Sequence, residues 1–597
     1  MRPGPASFTS AAILPEPGLL PGRLLLDEGA ALARDWRVVP GPFLRERGAS
    51  SEVEVKRASA AAGRIMHHAQ VGFRDPAKSR RAYGEIHARC AARGVTVDRY
   101  GLCLDWSMGY PAAERPGRPR GTGMILAGVE DFVALTAEAP VAPHFGDFVL
   151  GFPAAVENTC AALAAGATAI GNLGQFFTFR LPHWDDDVAL TEATVRALGL
   201  LAAQPVPILV HSNLDDGFAA QFTDLACALG AAMIERHVVE GLIGGSLLVG
   251  HCFGHHFSDP VTRLAFQRAL ARVSGSPGTM LYGNTVAYQG SHPQNFASLG
   301  SYLLVDILGQ WLTPTGHAIN PVPVTENERI PDIDEIVDAQ LHAGRLVEHA
   351  ADWRTLIDPS AADRVTDMLV EAGTRFRDRV LAGLAEGGID VDDPFHLLLA
   401  LRRIGGARLE SRFGPGREDA GQARGREPVV PATTFLELMH AAEACLARVE
   451  PGTRGAVAAA GLRLVTATTD VHEHGKTLVD RTLAGLGVTV IEGGISTDPD
   501  DLAALAAEEE ADAIAVSTYN GVALRYLREL KAALAARGRE VPVLIGGRLN
   551  EIPDGSNSSL PTDVGGVLEE EGAVVCRAID DLPRSLAALV ARRGERR

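Results

Sequence analysis

No stretch of this 597-residue chain approaches the roughly 20 consecutive apolar residues that a membrane helix needs. Positive charge is also scarce. Lys and Arg total 56 against 74 Asp and Glu, for a formal net charge of −18 and a pI near 5.5. Such a balance recruits no polyanion, so neither nucleic acid nor an anionic membrane surface is an expected partner. Cysteine is sparse: Cys90, Cys103, Cys160, Cys227, Cys252, Cys445 and Cys576 are scattered without paired spacing. That excludes a disulfide framework and points to reduced thiols in a cytoplasm. The first residues lack the charged start and apolar core of a secretory signal. The expectation is a soluble cytoplasmic protein acting on a small molecule, too long for a single core.

What is abundant is alternation. Short apolar runs recur at 141–146, 167–172, 206–212, 246–252, 279–285 and 317–323, separated by stretches with apolar residues at helical spacing. Two more candidates, 69–73 and 100–105, bring the strand count to eight, and strict alternation implies parallel strands with helical crossovers. The fold expected for 61–404 is therefore a (β/α)8 TIM barrel, with 1–60 as an N-terminal extension. Strand ends carry His144, Asn172, His211, Ser212, His251 and Asn284, and barrel active sites sit at that end. The Gly-, Pro- and charge-rich stretch 405–435 reads as a linker or arm. Residues 436–597 alternate again over five strand-like runs, which predicts a small doubly wound, Rossmann-like α/β domain with its ligand beyond the strand C-termini.

Three motifs sit at those strand ends. Asp470-x-His472-x-x-Gly475 follows the first strand, Ser517-Thr518-Tyr519-Asn520-Gly521 the third, and Gly546-Gly547 the fourth. A carboxylate beside an imidazole suits a metal-facing turn, and small residues on neighbouring strands leave a slot for an elongated group.

In that order, the three motifs resemble the cobalamin-binding domain of base-off/His-on corrinoid enzymes. The resemblance implies that His472 ligates the cobalt of cobalamin (vitamin B12), with Asp470 hydrogen-bonded to its other ring nitrogen. It further implies that Ser517, Gly546 and Gly547 line the slot for the displaced nucleotide tail, with Gly475, Tyr519 and Gly521 completing the site. Residues 60–420 in turn resemble the catalytic barrel subunit of glutamate (methylaspartate) mutase, through 166–182, 247–257, 290–300 and 319–331. The whole then reads as a mutase barrel fused to a B12-binding domain. Its implied activity is an adenosylcobalamin-dependent radical isomerase, and a homodimer through the barrel is expected.

The departures from that family matter more. Positions of its substrate-clamping arginines fall on Gly72, Gly109 and near Pro143; its active-site glutamate falls on Leu173, a tyrosine on Phe179 and a lysine on Val322. Glu326 survives as the ribose-side carboxylate, or else caps the following segment. A dicarboxylic amino acid would enter with unpaired charges, so the expected substrate is not glutamate. Asn172, His211 and His292, with Asn213 and Gln294, are candidate substrate or corrin contacts, and Asp215 and Asp216 read as solvated. His251, Cys252, His255 and His256 could suggest zinc, although their spacing fits no common pattern. Two other functions stay open: a corrinoid methyltransferase, and a non-catalytic cobalamin sensor or carrier.

Overall fold

The computed structural model describes residues 8–595 apart from 122, 256, 258, 289, 327, 471–473, 520 and 552–561. His472, His256 and Asn520 therefore lie outside the described residues. The chain divides into two units, Met1–Thr178 with Asp185–Thr433, and Phe179–Trp184 with Thr434–Arg597. Among the described residues no helix is long and apolar enough to cross a membrane.

The first unit is the expected eight-stranded parallel barrel. Its strands are β1 (Met66–Val71), β2 (Arg99–Leu102), β3 (Ala142–Phe145), β4 (Ala169–Ile170), β5 (Ile208–Asn213), β6 (Leu247–Cys252), β7 (Met280–Leu281) and β8 (Ala318–Ile319). They pair in the order β6-β5-β4-β3-β2-β1-β8-β7, and a parallel bridge from Phe253 to Leu281 joins the two ends. Side chains alternate along each strand. Met66, Ala142, Met280 and Ala318 meet in one apolar cluster inside the bore, whereas Tyr100 faces outward onto Tyr83, ring centroids 4.2 Å apart.

Residues 8–61 are built into this unit. The helix Gly22–Leu32 lies against Asp187–Ala202, where Gly29 leaves no room for a side chain against the Arg196 backbone. The helix Glu52–Ala61 sits at the N-terminal ends of the strands: the Glu52 N–H donates to Thr168 Oγ1, and Lys56 Nζ donates to the Thr279 and Gly316 carbonyls, each at 2.8 Å. Segment 405–433 packs on the same unit. Glu410 accepts from the Thr223 and Asp224 backbone, and Asp224 accepts from the Val429 and Val430 N–H groups.

The second unit is a five-stranded parallel sheet with helices around it. Its strands are β9 (Arg463–Thr468), β10 (Thr489–Glu492), β11 (Ala513–Thr518), β12 (Val543–Gly547) and, after the short pair β13 (Asn550–Glu551) and β14 (Thr562–Asp563), β15 (Val574–Cys576). The order is β10-β9-β11-β12-β15. After β9 the chain builds outward to β10 and then crosses back to β11, so the topological switch point lies between β9 and β11, where such sheets place ligands.

Candidate functional site

Asp470 is placed at that switch point. It is buried, and its Oδ2 accepts the Tyr519 backbone N–H at 3.0 Å and the Thr469 hydroxyl at 3.2 Å. Thr469 N–H in turn donates to the Ser517 carbonyl at 3.0 Å, and Thr468 Oγ1 donates to the Asp470 carbonyl. The turn after β9 is thus tied to the turn after β11, and the carboxylate has a fixed orientation before any ligand arrives. The Tyr519 side chain is exposed, with the Arg548 guanidinium 4.6 Å from its ring centroid.

In the same unit, a cavity of about 200 Å³ lies between the sheet and the helix His474–Gly485. Its walls include Gly475, Leu478, Ser517, Gly546, Gly547 and Ile579. The glycines define the space. A Cβ on Gly475 would collide with Ser517 Oγ, and one on Gly546 would come within 2.9 Å of the Cys576 carbonyl. Gly547, at φ +96°, adopts a conformation that side chains resist. Lys476 borders the cavity and is neutralised by Asp480 and Glu492, each at 2.7 Å. Gly521, at φ +69°, opens the turn after β11 and borders none of this cavity.

Residues 462–575 match the B12 binding domain family. The C-terminal unit carries a B12-binding domain. Over 86 residues the chain is 37% identical to the glutamate mutase sigma subunit of Halobacterium salinarum, covering 14% of this chain and 58% of that protein. Over 88 residues it is 40% identical to the fused isobutyryl-CoA mutase of Paraburkholderia xenovorans, covering 14% of this chain and 7% of that protein. The chain thus spans less than two thirds of the length of either curated relative. A cobalamin-binding protein from Desulfitobacterium hafniense DCB-2 is 22% identical over 21% of this chain and 58% of that one, with a TM-score of 0.18. The B12-binding domain thus contains a mostly apolar cavity bordered by glycines, and a buried, pre-oriented carboxylate two residues before His472 in the sequence.

In the barrel unit, a directional chain of hydrogen bonds runs up the bore. Arg99 Nε donates to Glu52 Oε1 at 2.7 Å, and its Nη1 donates to His68 Nδ1 at 3.2 Å. Because guanidinium only donates, His68 carries its proton on Nε2 and gives it to Gln70 Oε1 at 3.0 Å. Gln70 Nε2 then donates to Cys103 Sγ at 3.0 Å. Burial, reinforced by Asp147 and Glu326 against the Gln70 hydrogen bond, pushes the Cys103 thiol up to about 12, so it stays protonated.

At the C-terminal mouth, carboxylates from three strand ends act on one phenol. Burial first, and then the carboxylates of Glu326, Asp216 and Asp147, hold Tyr282 well above the ordinary tyrosine range. Asp147 accepts from Gln175 Nε2 at 3.2 Å, and burial, aided by Asp216, pushes its carboxyl up to about 7. The folded protein keeps this proton up to about pH 7, whereas an unperturbed aspartate loses it near 3.8. Folding therefore takes up a proton between those values, and stability falls as pH rises through that window. Asp147→Asn is expected to melt like wild type near pH 4 and a few degrees higher at pH 8; thermal melts at both pH values check this, and an equal gap at both would contradict it.

The other sequence candidates are distributed as follows. His211 is buried in the bore with Nδ1 2.9 Å from Thr279 Oγ1. Asn172 Oδ1 accepts from the Gly174 and Asn213 N–H groups, which orders the start of the short helix Leu173–Thr178. Glu326 is half-buried in a turn where its N–H donates to the Pro323 carbonyl. His292, by contrast, begins the helix His292–Leu312 on the surface, 3.7 Å from Glu328, with both side chains more than half exposed. Gln294 caps the same helix through Ser291. Asp216 is no solvated bystander: it accepts from Asn213 Nδ2 at 2.8 Å. His251 pairs with Glu235 at 3.0 Å and His255 stacks on Tyr282. Among the described residues no three His, Cys, Asp or Glu side chains could hold a metal ion. Sequence reasoning missed Arg99, Asp147 and Tyr282, because only the barrel closure brings them to the bore.

Proposed function

We propose that this protein is an adenosylcobalamin-dependent isomerase whose substrate is not glutamate. The observation that carries the reading is the union, in one chain, of a B12-binding domain with a parallel barrel whose bore turns polar towards its C-terminal mouth. The names of the two mutase relatives support the reaction class. Adenosylcobalamin supplies an organic radical by homolysis of its cobalt–carbon bond, which is chemistry no side chain provides.

The chain's own residues do the rest. His472 would be the lower ligand, and Asp470 would accept its ring N–H, fixing the tautomer and raising its basicity. Ser517, Gly546 and Gly547 would wall the nucleotide tail. In the barrel, Glu326 would accept hydrogen bonds from the adenosyl ribose, since charged acceptors make the stronger bonds. Wild-type protein is then expected to bind adenosylcobalamin more tightly than methylcobalamin, and Glu326→Gln to narrow that difference while binding hydroxocobalamin normally. Absorption titrations with the three cobalamins test this. Equal affinity for the adenosyl and methyl forms in the wild type would favour methyl transfer instead.

A further inference from the structure

Barrel bores are filled by layers of side chains in which branched aliphatics dominate. Here the layer of Met66, Ala142, Met280 and Ala318 is apolar, though built from unbranched side chains. One alternation nearer the C-terminal mouth, the inward positions become His68, His144, Tyr282 and Asn320. His211 joins them: ring centroids are 6.2 Å apart for His68 and His144, and 4.3 Å for His144 and His211. His68 is held by Arg99 and Gln70, and His211 by Thr279.

His144 packs edge-on between these two rings, with no side-chain partner for its nitrogens. It is 2% exposed, and neither ring nitrogen has a hydrogen-bond partner; the Ala169 carbonyl lies towards the ring without reaching hydrogen-bond geometry. Asn320, 1% exposed, has both its amide oxygen and its amide nitrogen unpartnered. Buried polar groups are almost always satisfied, so two such side chains in one layer need a reason. The local backbone spares this edge of the ring a side chain. A Cβ on Gly146 would lie 3.1 Å from His144 Cδ2 and Cε1 and nearer still to Nε2, so the Nε2 edge lies beneath a position with no side chain, on the mouth side of the ring.

We infer that His144 and Asn320 form the floor of a substrate site in the bore and that they bind an uncharged oxygen function of the substrate, a carbonyl or a hydroxyl. This rests on the reading of the barrel as the substrate-holding half of a cobalamin enzyme. Both side chains are neutral: burial, then Arg99, His211 and His68, keep His144 well below the ordinary histidine range. Neither can neutralise a carboxylate. Arg99 beneath them opposes a cation, and its Nε and Nη1 are already committed to Glu52 and His68. What remains is a group that accepts from or donates to a neutral imidazole and an amide.

Saturation-transfer NMR on the full-length protein, with propionamide, propionate and propylamine at equal concentration, tests this. Wild type is expected to give its strongest signal with propionamide. His144→Leu and His144→Met should each lose that signal at least fivefold while melting about 2–4 °C higher, because an apolar side chain replaces an unsatisfied polar one. An unchanged propionamide signal in both variants, a wild-type preference for propionate or propylamine, or a lower Tm in both variants would overturn the inference. Hydroxocobalamin binding in the same samples, followed by absorption, reports separately on the cobalamin reading. If it is retained while the propionamide contrast is missing, only the floor fails; if wild type does not bind it, the cobalamin reading fails first.

Discussion

Replacing His472 with glycine is expected to remove the protein-nitrogen superhyperfine splitting from the cob(II)alamin spectrum and to weaken cobalamin binding by more than about 100-fold. The expectation comes from Asp470, two residues earlier in the sequence. Asp470 is buried, and its Oδ2 is fixed by the Tyr519 N–H and the Thr469 hydroxyl. Such a carboxylate is suited to accept an N–H from a neighbouring ring, and an imidazole oriented in that way is a stronger metal ligand. Asp470→Asn should be milder, weakening binding by about tenfold while the splitting persists, because the backbone N–H of Tyr519 can still be satisfied by the amide oxygen. Splitting that survives in the His472 variant would show that another nitrogen is the ligand. Gly546→Val, which places a side chain against the Cys576 carbonyl, should weaken binding without altering the splitting of whatever cobalamin remains.

The second large effect is an absence of turnover. Interconversion of glutamate and 3-methylaspartate is expected to be at least about a thousandfold slower than a competent mutase would achieve, since each unpaired buried carboxylate costs several kcal/mol. The ionisable groups acting on Tyr282 at the bore mouth are Glu326, Asp216, Cys103 and Asp147, none of them a cation. Deeper in the bore, Arg99 and Lys56 are bonded to Glu52 and to backbone carbonyls. Gly72, at one of the positions that correspond to a clamping arginine, faces Cys103 and Ile330. Leu173 and Phe176 are fully buried, with Gly151 and Arg402 packed on Phe176, so they offer nothing to a carboxylate either. Efficient turnover of either compound, followed by NMR, would contradict this.

Much of the architecture was legible because period and punctuation are local. Six of the barrel strands and the five parallel strands of the second sheet announce themselves as short apolar runs between helical stretches, while β1 and β2, which carry His67, His68 and Arg99, are less plain. Asp470, Ser517 and Gly546 stand out in the sequence because a doubly wound sheet places ligands at strand ends, and the structure puts all three at such ends. The bore was less readable. His144 looks like any strand-end histidine until the closed barrel shows that His68 and His211 have partners and it has none. Arg99 and Glu52 are 47 residues apart, and only the helix at the N-terminal face of the barrel brings them together. His292 misled for the opposite reason: it sits in a loop-like stretch beside polar residues, yet Pro293 and Gln294 make it the start of a surface helix.

The most direct measurement is an electron paramagnetic resonance scan of the anaerobic full-length protein with adenosylcobalamin and a panel of uncharged oxygen-bearing substrates and dicarboxylates. The expected result is a coupled cobalt–organic radical signal, with nitrogen splitting, that appears with at least one uncharged substrate and with no dicarboxylate. Bound adenosylcobalamin that stays silent across the whole panel, while methylcobalamin donates its methyl group to an added thiol, would contradict an isomerase.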